Sequence, residues 1–226
     1  MNAAVLLLSG GQDSTTCLYW ARELFDEVHA LTMHYGQRHA SEIEASIEIG
    51  KAATTHLVLE VPSIKALSQS ALLGDGQLLG SGGHADREMP EGLPTSFVPG
   101  RNMVLLALAA CYAVRVGART IVTGVCETDY SGYPDCRREF IESMQRAATL
   151  AMPSSCGPIE IATPLMYMTK AATVRLARSL GPKCWAALGR SVTCYEGLRP
   201  GCGKCPACKL RAAGFAEAGE EDPAHA

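Results

Sequence analysis

Ala3-Ala4-Val5-Leu6-Leu7-Leu8-Ser9-Gly10-Gly11-Gln12-Asp13-Ser14 is the stretch that decides the fold. Residues 3–8 are an unbroken apolar run, the pattern of a strand buried on both faces of a parallel sheet. The run stops at two glycines. Beyond them Cys17, Leu18, Ala21 and Leu24 recur at helical spacing. A buried strand, a glycine turn and a helix open a parallel α/β fold. The turn also carries chemistry. Glycines let backbone amides approach an anion without side-chain clash. The N-terminus of the following helix adds unpaired N–H groups and the positive end of its dipole, and Ser9 and Ser14 add hydroxyls. The loop lacks the Lys of a Walker loop and the third Gly of a dinucleotide fingerprint. Its plainer reading is a tight turn capped by Asp13.

Working outward, residues 28–33, 56–61 and 120–124 read as strands, with Pro62 ending the second, and 158–164 as an extended segment. Residues 41–53, 101–116, 135–151 and 169–180 read as helices, the last with Thr169 as N-cap. This alternation predicts a Rossmann-like parallel sheet with helices on both faces and ligands at the carboxyl ends of the strands. Residues 74–99 carry six glycines and three prolines without periodicity. They read as one long loop, either a functional lid or disordered. The expected organisation is an α/β domain over 1–185, a cysteine-bearing segment over 186–216 and a frayed acidic tail over 217–226.

Composition narrows the function. The 226 residues carry a formal net charge of -3, which disfavours a surface wrapped by a phosphate backbone. The apolar runs 3–8 and 103–110 fall far short of the ~20 residues of a membrane span. No basic region precedes the first run, so a cytoplasmic protein is expected. Ten cysteines without an export signal do not read as a disulfide framework. Four of them, Cys194, Cys202, Cys205 and Cys208, fall within fifteen residues. They supply the ligands of a closed tetrahedral zinc site, although an iron–sulfur cluster also takes four cysteines. A closed site has no open position, so its role reads as structural.

The glycine loop resembles the pyrophosphate-binding loop of the ATP-pyrophosphatase (PP-loop) superfamily, with its adenine nucleotide alpha hydrolase-like fold. Further segments are similar to one family within it, the 7-cyano-7-deazaguanine synthases. They are His34-Tyr35-Gly36-Gln37-Arg38-His39, Phe97-Val98-Pro99-Gly100-Arg101-Asn102, residues 129–137 and Gly201-Cys202-Gly203-Lys204-Cys205-Pro206-x-Cys208. With the loop they run from residue 9 to residue 208.

The resemblance implies a carbon–nitrogen ligase that makes a queuosine precursor from 7-carboxy-7-deazaguanine, ammonia and ATP with Mg²⁺. It implies ATP contacts at Leu8, Ser9, Gly10, Gly11, Gln12, Asp13, Ser14, Thr15, Thr16, Cys17 and Leu18. Asp13, Arg101 and Lys170 are the implied catalytic residues. Arg38, Asp129, Tyr130, Tyr133, Asp135 and Arg137 are the implied substrate contacts, and the four clustered cysteines hold zinc. A homodimer that binds neither nucleic acid nor membrane is the family expectation. Asp135 reads equally well as a helix cap. Cys126, Glu127 and Arg138 depart from the family pattern, in which a smaller or amide residue and a Pro are expected.

Overall fold

The computed structural model describes residues 2–36, 40–64, 73, 88–89, 93–94, 96–128 and 132–225. Its strands are β1 (Ala3–Leu7), β2 (Glu27–His34), β3 (Thr55–Glu60), β4 (Glu88–Met89), β5 (Leu93–Pro94), β6 (Thr120–Val122) and β7 (Glu160–Ala162). Five of them form one sheet in the order β3-β2-β1-β6-β7, and every pairing is parallel. β1 is the middle strand: Leu6 stands opposite Ala30 on one side and Val122 on the other. The order reverses between β1 and β6, which opens a crevice at their carboxyl ends.

Side chains alternate across the sheet, and each face has its own core. Ala4, Leu6, Leu8, Val28, Ala30 and Val122 pack with helices α1 (Gln12–Leu24) and α2 (Ser41–Gly50). Ala3, Val5, Leu31, Met33 and Ile121 pack with α3 (Arg101–Val116) and α4 (Arg138–Ala151). Three further helices, α5 (Lys170–Ser179), α6 (Pro182–Arg190) and α7 (Pro206–Ala218), join the α1 face through Val174, Leu188 and Phe215. Helices therefore cover both faces, as the alternation of elements predicts. Among the described residues no helix is long and apolar enough to cross a membrane.

Several expectations need correction. The second helix stops at Gly50, where His56 fills the space a Cβ would need. The segment from 135 opens with a 3-10 turn, Pro134–Cys136, and turns α-helical only at Arg138. Within 74–99 the described residues include an antiparallel pairing of β4 with β5. Helix α6 runs through the expected boundary at 185/186. The tail is not frayed over its described part. Arg211, 5% exposed, donates two hydrogen bonds to the Asp222 carboxylate at 2.6 and 2.8 Å, and Asp222 also accepts from the Ala224 amide. A buried guanidinium needs its counter-charge, which fixes the chain end.

Candidate active site

The glycine loop lies at the carboxyl end of β1, in the crevice of the sheet. Gly10 adopts φ +85°, and a Cβ there would lie 2.4 Å from the Glu42 carbonyl oxygen. The loop and α2 therefore meet backbone to backbone. Gly11 caps α1 without a side-chain cap, which leaves the first N–H groups of the helix for a ligand. Ser9 Oγ lies 3.0 Å from Ser14 Oγ and accepts from the Gly11 amide at 3.3 Å. Ser14 also donates to the Gly11 carbonyl.

Not every residue expected at the nucleotide presents a side chain to the crevice. Leu8, Cys17 and Leu18 sit in the apolar core, and burial pushes the Cys17 thiol up. The Thr15 and Thr16 hydroxyls turn back onto the Gly11 and Gln12 carbonyls. Ser9 is exposed, and Gly11 and Asp13 are half-buried. Gln12 is 3% exposed, and its amide makes no hydrogen bond among the described residues.

Lys170 begins α5 behind the Thr169 cap, whose hydroxyl accepts from the Ala172 amide at 3.2 Å. Its ammonium donates to both oxygens of Asp13, at 2.9 and 3.1 Å. Two residues read separately from the sequence thus form one ion pair at the loop. Gly124, after β6, comes so close that a Cβ would lie 3.1 Å from the Asp13 carbonyl carbon.

A second group adjoins the loop through Glu42, whose carboxyl faces the Arg101 guanidinium. Burial raises the Glu42 carboxyl to about 7, against the pull of Arg101. The Arg101 guanidinium stands close to Tyr35. Burial works against its charge, but Tyr35, Tyr133 and Asp135 more than offset that and hold it firmly protonated. Arg101 is half-buried at the first position of α3. Tyr133 packs on Phe97 with ring centres 5.3 Å apart and shares a 2.7 Å hydrogen bond with Ser96. Asp135, 6% exposed, caps α3: its Oδ2 accepts from the Asn102 amide at 3.0 Å, while Oδ1 has no partner among the described residues. Arg137 stands exposed at the start of α4, apart from this group. Gln37, Arg38, His39, Asp129 and Tyr130 lie outside the described residues.

Two of the three sequence departures, Glu127 and Arg138, meet in the structure. The Arg138 amide donates to Glu127 Oε2 at 3.1 Å. A proline at 138 has no N–H to give, so an acidic 127 and a non-proline 138 go together.

Four sulfurs meet at the start of α7. Cys194, Cys202, Cys205 and Cys208 place their Sγ atoms within 4.8 Å of one another, with Cys202 and Cys208 3.9 Å apart. Ligands at about 2.3 Å round one tetrahedral ion stand roughly 3.8 Å from each other. Ligands on separate irons of a cluster stand further apart, so the donors fit a single metal ion. The Cys205 amide, and after it the Lys204 amide, pull Cys202 down to about 6, whereas burial pushes Cys208 up to about 12. A central cation would hold all four as thiolates.

The family model described as Queuosine biosynthesis protein QueC matches residues 3–219. The chain belongs to this family. A 7-cyano-7-deazaguanine synthase of Chromobacterium violaceum is 47% identical over 223 residues, 97% of this chain and 92% of its own. That of Laribacter hongkongensis is 47% identical over 221 residues, 97% of this chain and 93% of its own. Among solved structures, a predicted subunit of tRNA methyltransferase from Methanocaldococcus jannaschii shares the fold. Its TM-score is 0.51 at 16% identity, over 79% of this chain and 75% of that one. The fold is that of the adenine nucleotide alpha hydrolase-like group. Sequence reasoning missed Glu42 and Ser96, whose parts depend on contacts distant in the chain.

Proposed function

We infer that the protein is a carbon–nitrogen ligase that converts 7-carboxy-7-deazaguanine and ammonia, at the expense of ATP, into 7-cyano-7-deazaguanine. The observation that carries this reading is the Asp13–Lys170 pair on an open glycine loop at the switch point of the sheet, in a chain of this family.

The chemistry is two activations of oxygen. The substrate carboxylate attacks the α-phosphorus of ATP, and pyrophosphate leaves. Ammonia then displaces AMP, which carries off the former carboxylate oxygen, and the amide results. The amide oxygen attacks a second ATP in the same way. Loss of that AMP with a proton leaves the nitrile. Adenylation makes each oxygen a good leaving group, so the protein's task is positioning and charge stabilisation. No nucleophilic side chain is needed.

On this reading residues 9–14 cradle the phosphates. Asp13 would hold Mg²⁺, which would offset the phosphate charge, and Lys170 bridges between Asp13 and the phosphate oxygens. Arg101 pairs with the substrate carboxylate or the α-phosphate. The base is held by Tyr133, by Asp135 through its remaining oxygen, and by Asp129, Tyr130, Arg38 and Arg137. The four cysteines would hold a structural zinc ion, which would supply rigidity and no reaction step. The enzyme acts as a cytoplasmic homodimer on small molecules, without nucleic acid. The alternative, a superfamily member that modifies tRNA, is disfavoured by the net charge of -3.

Incubation with Mg-ATP, ammonium and 7-carboxy-7-deazaguanine is expected to yield the nitrile, read by mass spectrometry, with AMP and pyrophosphate. Unchanged acid with no AMP or pyrophosphate overturns the reading.

A further inference from the structure

The thiolate centre stands at the start of α7, and the same helix passes Lys170, the partner of Asp13. Cys205 is the N-cap of α7, its sulfur accepting from the Cys208 amide, with Pro206 in the first turn. One turn past Cys208, Arg211 reaches across the segment that joins α6 to the cysteines. It donates to Leu188 O at 3.1 Å, Ser191 Oγ at 2.8 Å and Thr193 Oγ1 at 3.2 Å, besides Asp222. Val192, within that clamped segment, donates its amide to the Gly10 carbonyl at 2.9 Å. Further along α7, Gly214 lies against Lys170. A Cβ at 214 would fall 2.6 Å from Lys170 Cγ and 3.0 Å from its Cβ. These atoms belong to the rigid base of the side chain, which cannot swing aside as its tip can.

We propose that α7 is a positioning element for the nucleotide loop: Gly214 sets the Lys170 ammonium on Asp13, and Arg211, through Val192, holds the Gly10 carbonyl. The residues act through Lys170 and the loop backbone and touch no substrate themselves. The inference rests on the loop being the ATP site. The sheet gives the loop its place, and the thiolate-capped helix gives it its shape.

The test is a calorimetric titration of the metal-loaded protein with Mg-ATP, the acid absent. Gly214→Ala is expected to weaken Mg-ATP binding about tenfold or more, as misplaced binding groups do. In a Lys170→Ala background the same change is expected to cost little, because Gly214 acts through that side chain. An equal loss in both backgrounds, or no loss in either, overturns the proposal. Should Gly214→Ala fail to fold, Asp222→Asn loosens the Arg211 clamp without adding volume. It is expected to weaken Mg-ATP binding roughly threefold with KM for the acid unchanged; unaltered ATP binding overturns the proposal. A wild-type protein that does not bind Mg-ATP counts instead against the adenylation reading, and this inference falls with it.

Discussion

Gly10 and Gly11 are neighbours in one loop, yet the structure predicts opposite consequences for the same substitution. At Gly10 a methyl group meets two penalties. The φ of +85° lies in the left-handed region, which costs an L-residue ~1–2 kcal/mol. The new Cβ would also lie 2.4 Å from Glu42 O and 2.8 Å from Ser46 N, backbone atoms of α2 that move only with the helix. Overpacking of that kind costs ~1–3 kcal/mol. Gly10→Ala is therefore expected to lose roughly 2–5 kcal/mol of stability. For a chain of this size that is a fall in Tm of about 4–20 °C. Gly11 has φ -81°, and its added Cβ would find only Ser9 Oγ at 3.4 Å and the Val192 carbonyl at 3.6 Å, which are tolerable contacts. Gly11→Ala is expected to fold with a loss below ~1 kcal/mol. Its methyl, however, takes the space from which a phosphate oxygen reaches the loop amides, so Mg-ATP affinity falls about tenfold or more. Thermal melting and calorimetric titration of both variants give the answer. A Gly10→Ala protein that melts within ~1 °C of wild type refutes the packing argument. A Gly11→Ala protein that binds Mg-ATP normally refutes the cradle.

Asp13→Ala is expected to lower turnover by at least ~100-fold with the fold intact, because a part-exposed ion pair contributes only ~1 kcal/mol to stability; steady-state kinetics beside a melting curve check this, and retained activity refutes the role. Cys205→Ala removes one ligand and the cap of α7, so bound metal is expected to fall to near zero and Tm to drop; metal analysis and melting test it, and a variant with normal metal and Tm excludes a structural site. Glu42 is raised from 4.5 to about 7 in the folded protein, so its contribution is full below pH 4.5 and is lost as pH rises through 7. Glu42→Gln is then expected to gain up to roughly 3 kcal/mol over wild type at pH 8 and little near pH 4.5; denaturant unfolding at both values decides it, and an equal difference at both refutes the buried-acid assignment.

What was legible in the sequence was local. The loop, the helix Arg101–Val116 and the Thr169 cap follow from neighbouring residues, and the structure has each of them. The four cysteines cluster in sequence and meet in space for the same reason. Helix α7 was not legible because its apolar residues, among them Ala207, Cys208 and Phe215, do not keep to one stripe. It is enclosed by the thiolate centre, Arg211's partners and α5 rather than laid on one surface. Gly214 misleads in the same way. A mid-helix glycine reads as a cost to the helix, whereas here it admits the stem of Lys170. Of the two readings of Asp135 the structure has the cap, which Oδ2 forms on α3, while Oδ1 has no partner among the described residues.

The Asp13–Lys170 pair joins residues 157 apart in the chain, and this distance has a consequence for the protein's birth. The loop emerges 157 residues before its cation, and the helix proposed to seat that cation emerges later still. At about 5–20 residues per second, translation leaves the loop without Lys170 for roughly 8–30 s. During that interval the β1–α1 unit is a half-built anion site on a nascent chain, and on the reading proposed above a helix made after Lys170 completes it.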